Sequence, residues 1–164
     1  MAATEFSFDV VSTFDRQELV NAVQQAQREV TTRYDFKDVT AEITLGEDEI
    51  TLLAGSEGRA QAMVDIVQSK LVRRGLSLKV LRPGAVEPAA KGNVRQQLHL
   101  QRGISEELAR TLVKRIKANH PKVQVRIQGD ELRVASRDKD QLQAVIVDLR
   151  ALDLPVPLQF TNYR

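Results

Sequence analysis

Cysteine is absent from the 164 residues, so neither a disulfide framework nor a thiolate metal site can be built. The only histidines are His99 and His120, and nothing near either supplies metal-ligand spacing. His120, just before Pro121, reads as a helix end. A Gly-rich phosphate loop of the Walker type is missing, and so is a dinucleotide fingerprint. No apolar run approaches the roughly 18 residues of a membrane span. Glu5, Asp9 and Asp15 stand where a secretory leader would be apolar. A cytoplasmic protein without a membrane partner, a metal or another cofactor is expected. Ser12, Ser56, Ser105 and Ser136 all sit where helices begin, which makes them caps rather than nucleophiles. Asp9 and Asp15 are explained by a strand position and a helix cap. No catalytic residue is assigned, and no enzyme is expected.

What is present is a repeat. Lys122–Leu149 reads as strand, two-residue turn, strand and helix. Val123, Val125 and Ile127 alternate with Gln124, Arg126 and Gln128, the period of a half-buried strand. Gly129-Asp130 suits a hairpin loop. Leu142, Val145, Ile146 and Leu149 then line one helical face. Asp48-Glu49-Ile50 followed by Gln61-Ala62-Met63-Val64 repeats Asp130-Glu131-Leu132 followed by Gln143-Ala144-Val145-Ile146 at a constant offset of 82. Two copies of one small domain follow.

The remaining elements complete each copy. Phe6–Val11 predicts a first strand, and Asp15 with Glu18 the start of a helix. Strands follow over Val39–Leu45 and Glu49–Ala54, then a helix after Gly55-Ser56 and a strand over Leu76–Leu81. Arg82–Asn93 holds two Pro and two Gly and reads as the inter-domain linker. Beyond it come a strand over Val94–Leu100, a helix capped by Ser105, the repeated hairpin and helix, and a closing strand through Val156, Leu158 and Phe160. Each half is therefore β-α-β-β-α-β. The expected fold is α+β, two ferredoxin-like domains, each a four-stranded antiparallel sheet with two helices on one face. The boundaries are 1–85 and 91–164, and an exchange of terminal strands between the copies is allowed.

Net charge is only +2, but it is uneven. Residues 1–90 hold 10 Lys/Arg against 14 Asp/Glu, and residues 91–164 hold 14 against 8. Either surfaces simply vary, or the second half meets an anionic ligand. Its open sheet face is expected to carry Gln97, His99, Gln101, Gln124, Arg126, Gln128, Glu131 and Arg133. Arg126 lies opposite Arg133, and a phosphate between them would relieve their repulsion and use both guanidinium forks. The alternative is that both splay into water or pair with acids of the other half. The equivalent positions in the first half are Thr44 and Thr51. No aromatic residue is expected on this face, which argues against recognition by base stacking there.

The chain resembles the YajQ family of small bacterial nucleotide-binding proteins. The likeness rests on FSFDVVSTFDRQELVNAV (Phe6–Val23), RYDFKD (Arg33–Asp38), VRIQGDELRVASRDKDQLQAVI (Val125–Ile146) and LDLPVPLQFTNYR (Leu152–Arg164). The resemblance implies two ferredoxin-like domains, binding of nucleotides and RNA and, in some members, of cyclic di-GMP. It carries no catalytic motif. The expectation is a non-catalytic nucleotide-binding protein, a cyclic di-GMP or GTP effector with a protein partner downstream. The alternatives are an RNA- or tRNA-binding module and a protein-interaction scaffold. Its candidate ligand residues are Arg133, Arg126, Gln128, His99 and Gln124, completed by Arg82, Lys91 and Arg95 near the linker, where two domains would meet.

Overall fold

The computed structural model describes residues 4–164. In chain order the elements are β1 (Phe6–Val11), α1 (Arg16–Thr32), β2 (Ala41–Leu45), β3 (Glu49–Ala54), α2 (Glu57–Arg73), β4 (Leu81–Pro88), β5 (Val94–Leu100), α3 (Glu106–Asn119), β6 (Gln124–Gln128), β7 (Glu131–Ser136), α4 (Lys139–Arg150) and β8 (Gln159–Thr161). Each helix begins where a short polar side chain satisfies free backbone N–H groups. Asp15 accepts from Gln17 and Glu18, Ser56 from Arg59, Ser105 from Leu108, and Asp138 from Asp140.

Two antiparallel sheets result, in the orders β2-β3-β5-β4 and β6-β7-β1-β8. With α1 and α2 on the first and α3 and α4 on the second, they form two ferredoxin-like α+β domains. The first unit spans Phe14–Gln101, and its core joins α1 and α2 through Leu19, Val23, Met63 and Val67 to Ile50, Leu52 and Leu98 of the sheet. The second unit combines Met1–Thr13 with Arg102–Arg164, and packs Leu112, Ile116, Val145 and Leu149 against Phe8, Val10, Leu132 and Val134.

The repeat is present in register as well as in sequence. Thr44 faces Thr51 in the β2–β3 hairpin, and Arg126 faces Arg133 in the β6–β7 hairpin. Gly129 takes a φ of 62° at the second turn, a left-handed value that a glycine adopts without a Cβ clash. Both hairpins occupy the same two places in their sheets.

The division along the chain differs from boundaries at 1–85 and 91–164. β1 lies in the sheet of the C-terminal elements, between β7 and β8, and β5 lies in the sheet of the N-terminal ones, between β3 and β4. The supposed linker Arg82–Asn93 is strand and turn. Its Pro83 and Pro88 fall in β4, an edge strand, where a missing N–H costs no ladder bond. Lys91 and Gly92, at φ 61° and 75°, make the turn into β5. Such a short connection closes a hairpin at little entropic cost, so β5 pairs locally with β4. The charge asymmetry then shrinks. Residues 14–101 hold 12 Lys/Arg and 12 Asp/Glu, and the other unit holds 12 and 10.

Candidate anion site on the second sheet

Strand pairing lines up side chains in rows across the open face of the 1–13/102–164 unit. One row runs Arg126, Arg133, Asp9, Thr161 from β6 through β7 and β1 to β8. Its neighbour runs Gln124, Ala135, Ser7 and Arg164, the last because residue 164 exchanges two backbone hydrogen bonds with Ser7, at 3.3 and 3.0 Å. Side chains alternate in direction along each strand, so both rows face one way. Ser7 and Ala135 are short, while Gln124, Arg126, Arg133 and Arg164 around them are long. The result is a depression of about 340 Å³ floored by small residues and walled by three guanidinium groups, with Glu5 at its rim.

The three arginines are not equivalent. Arg133 Nε donates to Asp9 Oδ1 at 3.0 Å, and Asn162 Nδ2 donates to Asp9 Oδ2 at 2.8 Å. Asp9 is buried, with 7% of its surface exposed. The Arg133 hydrogen bond holds its carboxyl below the ordinary 3.8, and the Asn162 hydrogen bond adds to this, while burial opposes both. The same pairing raises the Arg133 guanidinium further. Among the described residues only its Nε is used, so the two terminal nitrogens of Arg133 keep their donors for a ligand. Arg126 is exposed and makes no hydrogen bond or ion pair among the described residues. It carries a full charge opposite a like charge, in a cleft that bidentate recognition of a phosphate would suit.

Of the eight residues singled out from sequence, three line this cleft: Arg126, Arg133 and Gln124. Gln128 sits beside it at the hairpin mouth, paired in register with Glu131. The other four belong to the 14–101 unit. His99 lies in β5 between Glu49 and Arg82, and Arg95 lies between Leu53 and Glu87. Lys91 is in the β4–β5 turn. The expectation that His99, Gln97 and Gln101 share an open face with Arg126 is thus corrected, because β5 pairs with β3 rather than with β7. His120 is the C-cap of α3, as expected, and its Nε2 lies 3.2 Å from Asp148 Oδ2 on α4.

Sequence reasoning missed Ser7, Asp9 and Arg164. The alternation of Phe6, Phe8 and Val10 with Ser7 and Asp9 puts the latter two on the outward side of the strand, but does not tell that they meet Arg133. No group of three or more His, Cys, Asp or Glu that could hold a metal is found among the described residues. No helix among them is long and apolar enough to cross a membrane.

The family model described as nucleotide-binding protein YajQ-like matches residues 6–164. The chain belongs to this family. Its relatives match end to end. A nucleotide-binding protein of Roseiflexus castenholzii is 54% identical over 98% of both chains. One of Trichodesmium erythraeum is 52% identical over 100% of both, and one of Chloroflexus aurantiacus 53% identical over 98% of both. The strands that build the cleft, from Phe6 to Arg164, fall within the matched span of the family.

Proposed function

We propose that the chain is a non-catalytic, cytoplasmic nucleotide-binding protein that holds its ligand by phosphate in the cleft between Arg126, Arg133 and Arg164. The observation that carries this is Arg126, a guanidinium with no protein partner among the described residues, opposite Arg133 above a floor small enough to admit a phosphate. A tetrahedral anion there meets the free terminal nitrogens of two forks and cancels their repulsion. The relatives' names supply the ligand class, and the resemblance noted from sequence makes cyclic di-GMP the first nucleotide to try, ahead of GTP and a short RNA. Among the described residues, the Ser7 hydroxyl and the Glu5 carboxyl at the cleft make no hydrogen bond to one another that would set up a nucleophile and its base. The chemistry of the cleft is therefore recognition.

The test is calorimetric titration of the native chain with cyclic di-GMP, GTP and a short single-stranded RNA. Arg126→Ala should weaken the best ligand by about 1.5–3 kcal/mol, the range for a hydrogen bond to a charged group. Its unfolding free energy should shift by less than about 0.5 kcal/mol, as at most surface positions. Thr51→Ala, at the matching place in the other sheet, should change neither. Equal losses from the two variants would place the anion site elsewhere. If RNA is the ligand, Arg126→Ala should also lower the log–log salt slope by about 0.7.

A further inference from the structure

A second cavity adjoins the arginine cleft. It also measures about 340 Å³, and it opens between α4 and the edge of the sheet made by residues 162–164. Ser7 and Arg164 line both cavities. The alternation of side chains explains how. Ser7 and Arg164 turn to the cleft, while Phe6, Phe8 and Tyr163 turn to the helix-covered side.

The walls of this cavity are unlike those of the cleft. Tyr163 lies 6.1 Å from Phe8, ring centre to ring centre, at an interplanar angle of 36°, and still exposes 62% of its surface. Lys139 Nζ sits 4.8 Å from the centre of the Phe6 ring. Gln143, from the exposed side of α4, brings an amide with both a donor and an acceptor. An exposed aromatic ring beside a cation and a carboxamide suits a flat, polar-edged heterocycle, which a nucleobase is.

We infer that this cavity is a base-stacking subsite, in which Tyr163 stacks on a nucleobase of the ligand whose phosphate lies in the arginine cleft. It rests on that phosphate assignment and extends it. The two cavities lie on opposite faces, so a ligand in both must pass around the edge strand at Arg164. A strand occupies about 5 Å of a sheet. A ligand of at least two nucleotides, linear or cyclic, has the reach for that path. Arg164, common to both cavities, holds the phosphate that turns the edge. Base recognition is thus separated from the aromatic-free open face and placed around the corner from it.

The chain has two tyrosines and no tryptophan, which makes the inference directly readable. Tyr34, in the other unit, is 88% exposed and can be replaced by Phe, leaving Tyr163 as the only tyrosine emitter. Titrated into Tyr34→Phe, a 5′-phosphorylated diadenylate should quench that emission in a saturable way. In the native background Tyr163→Leu should raise the dissociation constant of the diadenylate about tenfold or more, and Tyr163→Phe should restore it. Neither should change the affinity for inorganic pyrophosphate, which has no base. Arg126→Ala should weaken both probes. Diadenylate binding without quenching, or binding no tighter than pyrophosphate, would overturn the stacking subsite and leave the phosphate assignment standing. Equal losses of both probes in Tyr163→Leu would make the ring structural. Failure of both probes to bind the native chain would overturn the subsite and the phosphate assignment together.

Discussion

Asp9 is a buried carboxylate with one donor from β7 and one from the segment after β8, and this ties the fold to the cleft. Its folded-state pKa is depressed, first by the Arg133 hydrogen bond. A group whose value falls on folding adds stability that is fully present above its unfolded value, near pH 3.9, and lost as pH falls through the lower folded value. Asp9→Asn should therefore lose about 1.5–3 kcal/mol at pH 7, the range for a hydrogen bond to a charged group. The loss should shrink below about pH 4, where the native carboxylate takes up its proton. Urea unfolding at pH 7 and at pH 3 would check it, and equal destabilisation at both would show that charge is not involved. The same substitution removes the anion beneath Arg133 and should tighten pyrophosphate binding, read by calorimetry. The sequence alone suggests that Arg133 is not needed by the fold. With Asp9 as its partner, Arg133→Ala would strip a buried carboxylate of its first donor, so its effects on binding and stability are entangled. Arg126 is the clean probe.

Helices α1 and α2 meet through a pair of opposite charges as well as through their apolar stripes. Lys70 on α2 is buried, with 7% of its surface exposed, and its Nζ donates to Glu29 Oε1 on α1 at 2.8 Å. Such a lysine can act through its charge or through its methylene stem, and two substitutions separate these. Lys70→Met keeps the stem and leaves Glu29, about one-third exposed, to water and to Arg33, whose Nη1 lies 3.4 Å from its Oε2. It should change the unfolding free energy by less than about 1 kcal/mol, whereas Lys70→Ala, which empties the space, should cost about 2 kcal/mol. Chemical denaturation of both variants distinguishes them, and equal costs would mean that the ion pair dominates. Element by element, the local patterns were legible: period-two alternation marked β6 and β7, and Asp15, Ser56 and Ser105 marked helix starts. The Arg126–Arg133 pair followed from the Gly129-Asp130 turn alone. The β4 strand was hidden because Pro83, Gly84 and Pro88 have the composition of a linker and of an edge strand alike. Asp9 and Arg164 were hidden for a different reason. Their place in the cleft depends on which sheet β1 joins and on the pairing of residues 162–164, and strand partnership is non-local information that periodicity does not carry.

At the scale of the whole chain, the second unit has the strand–helix order β1-α3-β6-β7-α4-β8, which is an uninterrupted βαββαβ fold except for residues 14–101 between β1 and α3. The two points where that segment enters and leaves are adjacent, since Gly103 N donates to Ser12 O at 2.6 Å. Residues 14–101 thus behave topologically as one domain inserted into a loop of another, a position where insertions are tolerated. Replacing them by a Gly-Ser pair should leave a small protein that still unfolds cooperatively, because both central strands and both helices of its sheet remain. It should also still bind pyrophosphate, because every residue lining the arginine cleft comes from the retained segments. Residues 91–164 alone should fail the same test. They lack β1, the strand between β7 and β8, and with it Phe8 and Val10 from the core and Asp9 from beneath Arg133. Circular dichroism through a thermal ramp separates the two outcomes. A cooperative transition in residues 91–164, or none in the joined chain, would show that stability does not follow the sheets. A joined chain that folds but no longer binds pyrophosphate would show that the anion site needs the inserted domain.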